Sequence, residues 1–443
     1  MLRGVNKAQR DNAHRLLQCL AVAVRPLRVE ELAELLAFDF QASTSGGIPT
    51  LKEDWRWDDQ EEAVLSTCSS LIAIVPSGDS RVVQFSHFSV KEYLTSPRFA
   101  QSHGDVSRFQ IGLDAAHTTM AQACLGTLLR LDKHTGISGG KEFPLVEYAA
   151  QHLVEHARLE KVSSRVQGGL DDLFNTSRPH FAAWLRVHDM DSEYWYNFSF
   201  SPQQQRGRVS PLYYATVCGL YDLAERLIAK HPEQVNAVGG RIVAPLPAAL
   251  HKKNFRIANL LHSHGAVVDV RGDRGRTPLY GASRGGLVDI IQWLLNHGAD
   301  VSVPRDDGWT PLHAAAGCMR PEAVRLLLDH NADVNSRNKT GRTPLCETIF
   351  EPVSSQEGRA VDVVRRLLEH GADPNASCDH YRSTLLHKAF YHGWLEVARL
   401  LLCYGAKVDE KDQSGETPFQ VASNRGYHEI AKLLLERVVV PQP

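Results

Sequence analysis

The chain lacks an apolar run long enough to cross a bilayer as a helix, and its opening residues MLRGVNKAQRDNAHRLL lack the layout of a signal peptide. No membrane role is expected. It also lacks an excess of either charge: the formal net charge of −2 gives no bulk attraction to nucleic acid or to an anionic membrane. Paired cysteines are missing too. Cys19, Cys68, Cys124, Cys218, Cys318, Cys346, Cys378 and Cys403 are scattered, with no C-x-x-C among them. They read as reduced core residues in a reducing compartment, not as zinc ligands or a disulfide frame.

Two catalytic signatures are absent as well. No Gly-x-Ser-x-Gly elbow occurs, and no acid is placed to complete a triad with His87 and its flanking Ser86 and Ser89. A phosphate-binding loop would need G-x-x-x-x-G-K-[ST]. The nearest string, GISGGKE at Gly136 to Glu142, has the wrong spacing, a Glu after its Lys and no strand before it, so it reads as a loop. The expectations are therefore no enzyme, no cofactor, no metal and no small-molecule substrate. The expected location is the cytoplasm, with the nucleus as the second choice.

What is present is a repeat. Gly308 to Asn335, GWTPLHAAAGCMRPEAVRLLLDHNADVN, reads as one supersecondary unit. Thr310 caps a helix with Pro311 at its first position, and Pro321 opens a second helix with Val324, Leu327 and Leu328 at helical spacing. The capping position recurs as Ser210, Ala244, Thr277, Thr310, Thr343, Thr384 and Thr417, at intervals of 34, 33, 33, 33, 41 and 33 residues. Each opens a variant of one phrase, from SPLYYA and APLPAA to TPLHAA and TPFQVA. A second phrase (HGADVSV, HNADVNS, HGADPNA) closes most units. One helix pair cannot bury its own apolar face, so neighbours must stack. Over Arg208 to Arg437 the chain resembles the ankyrin repeat. The 41-residue interval places an insertion near Pro352 to Arg359. His313 and His387 read as buried hydrogen-bonding residues between repeats.

The N-terminal part reads as helices over Ala8 to Val24, Glu30 to Ala37 and Asp58 to Ser70, then a hairpin of LIAIV and RVVQF, closed by a helix at His87 to Leu94. That order is a winged helix. RLLQCLAVAVRPLRVEELAELLAFDF, WRWDDQEEAVLSTCSSLIAIV and VVQFSHFSVKEYL resemble the winged-helix segment that follows the NACHT ATPase in fungal NACHT–ankyrin proteins. Those are NLR-like members of the STAND signalling class, and a related winged helix lies beside a GPI inositol-deacylase-like family. The resemblance implies a sensor or scaffold arm of such a protein, with the NACHT ATPase itself absent from this chain. His87 reads as a buried structural histidine, with a nucleotide-facing ancestral role as its rival.

The expected fold is mainly α: an ankyrin-repeat solenoid preceded by a small α+β winged-helix domain and a helical connector. The expected domains are 1–108, 109–206 and 207–443, the last with about seven repeats. The partner is a protein of unknown identity. DNA binding by the winged helix is the rival reading, but residues 1–110 carry 12 Lys/Arg against 14 Asp/Glu. The candidate recognition helix also opens with Asp58, Asp59, Glu61 and Glu62, the wrong sign for phosphate.

The resemblance to ankyrin repeats implies a contact surface at the hairpin tips and the inner face of each first helix. Carried over by position from the cap, the candidates are Asp273, Arg274, Arg276 and Arg284 in the third repeat and Asp306, Asp307 and Trp309 in the fourth. The fifth adds Lys339, Arg342, Phe350 and Glu351, the sixth His380, Tyr381, Tyr391 and His392, and the seventh Gln413, Glu416, Asn424 and Arg425. The groove is expected to centre on repeats four to six, with Trp309 as an anchor, because aromatic and Arg side chains dominate interface energies.

Overall fold

The structure is a computed structural model that describes residues 9–41, 47–100, 105–132, 143–188, 209–240, 242–348, 357–379 and 382–427. The GISGGKE string, residues 352–356 of the expected insertion, and Phe350, Glu351, His380 and Tyr381 lie outside them. The chain divides into two compact units, residues 1–193 with 209–234, and residues 194–208 with 235–443.

The first unit opens with α1 (Arg10–Val22), which turns Ala13, Leu16 and Leu17 into the core. Pro26 prevents continuation, and the chain extends into β1 (Leu27–Arg28) before α2 (Val29–Leu36). A small antiparallel pair follows, β2 (Phe38–Asp39) with β3 (Thr50–Leu51). Asp59 accepts the Glu61 and Glu62 amides and so caps α3 (Gln60–Cys68). The wing is β4 (Ile72–Ser77) against β5 (Ser80–Phe85), and β1 adds to the far side of β5 in the order β1-β5-β4. Val83 sits opposite both Leu27 and Ile74. The three helices and the three-stranded wing are the winged helix read from the sequence. α4 (Phe88–Thr95) and α5 (Pro97–Ala100) close it.

Among the described residues seven further helices complete the unit: α6 (Leu113–Leu128), α7 (Val146–Ala157), α8 (Glu160–Ser163), α9 (Gln167–Leu173), α10 (His180–Val187), α11 (Pro211–Cys218) and α12 (Tyr221–Lys230). Tyr148, Phe174 and Trp184 fill its core, and the Trp184 indole donates to the Ala150 carbonyl at 3.0 Å. The helix pair of the first repeat, α11 and α12, belongs here. Tyr214 meets Phe181 edge-on, and Arg226 pairs with Asp171 at 2.9 Å.

The second unit stacks the remaining repeats. Its first helices are α13 (Pro245–His251), α15 (Pro278–Gly285), α17 (Pro311–Gly317), α19 (Pro344–Glu347), α21 (Leu385–His392) and α23 (Pro418–Asn424). The second helices are α14 (Phe255–Ser263), α16 (Val288–Asn296), α18 (Pro321–Asp329), α20 (Glu357–Glu369) and α22 (Leu395–Cys403). Three caps work as the phrase predicts: the Thr277, Thr310 and Thr417 hydroxyls accept the amides of Tyr280, His313 and Gln420, whereas the Thr343 hydroxyl donates to Cys346 Sγ instead. Ala244 has no side chain to accept an amide.

Three devices join neighbouring repeats. His313 takes the Thr310 amide on Nδ1 at 3.2 Å and donates from Nε2 to the Arg342 carbonyl of the next repeat at 3.0 Å. His387 repeats this with Thr384 and the Glu416 carbonyl at 3.1 Å. These bonds fix the neutral Nε2–H tautomer, and burial holds both rings below the usual imidazole range. Asn335 and Asn375 form the second device. Each amide donates to the Gly371 or Gly405 carbonyl and accepts from the Asp373 or Lys407 amide.

The third device corrects the sequence reading of the cysteines. Cys346 and Cys378 are joined in a disulfide, their Cα atoms 5.0 Å apart. Cys346 occupies the place that His313 and His387 hold in their repeats. The repeat translation brings the residue 32 positions later against it, so stacking, not a local motif, makes the pair. Cys19, Cys68 and Cys124 are buried and free as expected, Cys218 is buried, and burial pushes the Cys19 and Cys68 thiols up to about 12.

Candidate partner-binding surface

The hairpin tips of repeats three to five are linked by backbone. The Asp306 amide donates to the Arg274 carbonyl at 3.0 Å, and the Lys339 amide to the Asp307 carbonyl at 2.9 Å. Gly308, at φ 86°, allows this approach: a Cβ there would lie 2.7 Å from the Lys339 nitrogen. Arg274 reaches its tip conformation at φ 56°, in the left-handed region, without being glycine.

Two clusters of candidate residues form, one in repeats three and four and one in repeats six and seven. In repeats three and four, the Arg305 guanidinium lies 5.6 Å from the Trp309 ring centre and 5.4 Å from that of Tyr280. Asp307 steadies Arg305, accepting from its Nε at 2.8 Å, and that pairing holds the Asp307 carboxyl below the usual range. Trp309 is half-buried, its ring 6.0 Å from His313 and its outer edge over Gly317. Arg284 and Arg274 are exposed and Arg276 is half-buried.

In repeats six and seven, the Arg425 guanidinium lies 3.7 Å from the Tyr391 ring centre, and Tyr391 is 45% exposed. His392 meets the Tyr391 ring edge-on. Burial holds the His392 imidazole below its ordinary value, with the Lys388 and Arg425 charges adding to that. Asn424 donates to the Glu416 carboxylate at 2.7 Å, and Gln413 is exposed at the tip.

Between the clusters Lys339 is exposed, while Arg342 turns inward, 4.0 Å from the buried Glu347. Burial pushes the Glu347 carboxyl up to about 7, against the Arg342 charge and a hydrogen bond from Asn338 at 3.0 Å. Asp273 and Asp306 are exposed at the tips. Reasoning from positions around the cap missed Arg305 and Tyr280. Arg305 stands five residues before the cap, inside the hairpin, and Tyr280 occupies the place that Pro247 and His313 take in neighbouring repeats. An arginine two residues before an aspartate was the available signal.

His87 is not buried. It is exposed and caps α4, accepting the Ser89 amide on Nδ1 at 3.2 Å, with its ring against Phe88. The helix it opens buries only Leu94, and His87 stays exposed with it. The acidic edge of α3 is as the sequence reads. Arg81 pairs with Glu61, and the cleft beside it is lined by Glu30, Asp58, Asp59 and Glu61. Among the described residues no cluster of three or more metal-ligating side chains occurs, and no helix is long and apolar enough to cross a membrane.

Residues 2–107 match the profile "GPI inositol-deacylase, winged helix domain", and residues 246–338, 302–378 and 352–441 match "Ankyrin repeats (3 copies)". "Azaphilone pigments biosynthesis cluster protein L" of Monascus ruber is 30% identical over 273 residues, 58% of this chain and 56% of that protein. The chain thus spans about half the length of this curated relative. "ARF GTPase-activating protein GIT2" of Mus musculus is 42% identical over 71 residues, 16% of this chain and 10% of that one. The solved ankyrin repeat domain of Bcl-3 aligns at 27% identity with a TM-score of 0.45, over 52% of this chain and all of that one. The chain carries a winged-helix domain of the GPI inositol-deacylase type and an array of ankyrin repeats, a protein–protein interaction module.

Proposed function

We propose that this chain is the non-enzymatic recognition arm of an NLR-like, NACHT-associated signalling protein, working in the cytoplasm or the nucleus. The ankyrin repeats bind a partner protein through their inner face. The observation that supports this most is the pair of aromatic–guanidinium contacts left open on that face, Trp309 with Arg305 and Tyr391 with Arg425. Rigid aromatics and arginines are the side chains that carry most binding energy in protein interfaces. A role in DNA binding is disfavoured by the acidic first turn of α3.

The test identifies a partner by proximity labelling with the full chain in its own cells, then measures affinity by calorimetry. Trp309→Ala and Tyr391→Ala should each weaken binding by roughly 30-fold. Arg399→Ala, at an exposed residue of α22 outside both clusters, should change it less than about twofold. Equal affinity for Trp309→Ala, Tyr391→Ala and the parent would end the reading. The signalling assignment has its own check in the transcript upstream of Met1. An in-frame NACHT ATPase there supports it, and a stop codon with no such domain opposes it.

A further inference from the structure

The third and fourth repeats hold more positive charge than they pair. Arg276 sits directly before the Thr277 cap, Arg284 lies in the last turn of α15, and Arg274 is at the tip. Arg305 reaches across from the next hairpin to the Tyr280 ring. Only Arg305 of these four has a carboxylate partner among the described residues, namely Asp307. The Arg276 Nε is buried with no hydrogen-bond partner among the described residues. Burial, then the like charges of Arg305, Arg284 and Arg274, hold the Arg276 guanidinium below its ordinary value, with only the Tyr280 phenol acting the other way. Tyr280 itself is buried, and the charges of Arg305, Arg276 and Arg284 all act on its phenol. A guanidinium with its Nε buried and unpartnered among like charges is costly unless an anion completes it.

Resting on the reading that the inner face binds protein, we propose a specific occupant for this place. A single carboxylate side chain of an extended partner segment seats between Arg276 and Arg284, and an apolar neighbour of that carboxylate lies on Trp309. The guanidinium fork matches a carboxylate in two parallel hydrogen bonds, and the aromatic gives the adjoining residue a flat apolar contact. The rim excludes a longer polyanion. Asp273 and Asp306 stand exposed at the tips on either side of Arg274, so a strand of phosphates would run over two negative charges, whereas one carboxylate need not.

The experiment selects binders to the full chain from a displayed random peptide library and measures the resulting synthetic peptides by fluorescence anisotropy. The expected peptides carry Asp or Glu at one fixed position beside an apolar residue. Arg276→Gln and Arg284→Gln should each weaken them by roughly tenfold. Arg284 is exposed, so its variant keeps the fold even where Arg276→Gln disturbs it. Replacing the peptide's carboxylate by the amide should cause the same loss, and that amide peptide should no longer sense Arg284→Gln. Peptides that depend on Trp309 but need no carboxylate would overturn this inference and leave the groove reading standing. Failure to select any peptide that depends on Trp309 or Tyr391 would remove both. Displacement of the peptides by inorganic tripolyphosphate, lost in Arg276→Gln, would overturn the occupant in favour of a polyanion.

Discussion

The two units solve the same problem with different chemistry. Both must tie short helices together, since helices of this length hold little stability by themselves. The first unit does it with single, buried arrangements. Glu31, fully buried, accepts both Arg25 Nη atoms at 2.8 and 2.6 Å and the Arg28 amide at 2.8 Å. Burial alone would raise its carboxyl, but those bonds and charges outweigh it and the net shift is down. At Glu34 the same contest goes the other way: burial wins over the Leu145 amide and Arg56, and the carboxyl rises. His156 links Tyr148 at 3.0 Å to His117 at 2.9 Å, and burial drives its imidazole down to about 3. The second unit instead reuses a few ties from repeat to repeat, such as the cap-anchored histidine and the Asn335 and Asn375 amides. One-off buried networks concentrate stability at few residues, whereas a repeated tie spreads it.

The largest expected effect tests that contrast directly. Glu31→Ala leaves Arg25 and Arg28 without their shared acceptor and should cost about 3 kcal/mol in urea unfolding. A loss under about 1 kcal/mol would show that the network is not concentrated there. The repeat ties come next. His313→Ala and His387→Ala should each cost about 2 kcal/mol, because the Arg342 or Glu416 carbonyl and the cap amide lose their partner. Amide exchange should speed up at the two affected junctions and leave α15 and α16 unchanged. A uniform change along the unit would contradict nearest-neighbour stacking.

A pH series sharpens the comparison within the second unit. The His313 and His387 rings are depressed in the folded state, so their contribution is present above about 6.5 and is lost as pH falls. The Glu347 carboxyl is raised from 4.5 to about 7, so its contribution is present below about 4.5 and is lost as pH rises through about 7. Glu347→Gln should therefore stabilise the chain more at pH 8 than at pH 5, measured by thermal melting, and His313→Gln should flatten the acid side. A Glu347→Gln effect independent of pH would mean the carboxylate is not desolvated.

The smallest effect concerns the turn between paired helices. Gly286 and Gly393 occupy it at φ 69° and 73°, while Lys253 and Met319 adopt the same left-handed geometry at 56° and 51°. Lys253→Gly should raise stability by roughly 0.5–1 kcal/mol. Met319→Gly should give no gain, because Met319 is 6% exposed and its lost burial, about 1.5 kcal/mol, cancels the relief. Equal gains at both sites would show that burial of Met319 contributes nothing.

Much of this was legible from residue types and spacing. The phrase TPLHAA contains the cap, the first-turn proline and the inter-repeat histidine, and each acts within a few residues or one repeat length. The wing was legible because LIAIV and RVVQF alternate around a short turn. The candidate site was legible only as a set of positions. The cap offset placed Arg276, Arg284, Trp309 and Tyr391, since register follows from helix geometry. It did not show that Arg305 joins Tyr280 to Trp309, or that Arg425 lies on Tyr391, because the Tyr280 and Tyr391 contacts cross between repeats and depend on how neighbouring repeats stack. His87 was misread for the same reason: its burial depends on what α4 packs against, and α4 buries little.

The sequence alone determined the period, the caps and the helix pairs, because hydrogen bonding and hydrophobic spacing act locally and repeat with the chain. Only the tertiary structure decided which distant side chains meet. It joined Cys346 to Cys378, buried Glu347 beside Arg342, and grouped Arg276, Arg284 and Arg305 around Tyr280. Those outcomes depend on the translation from one repeat to the next, and a translation vector in space is not written in any one stretch of residues.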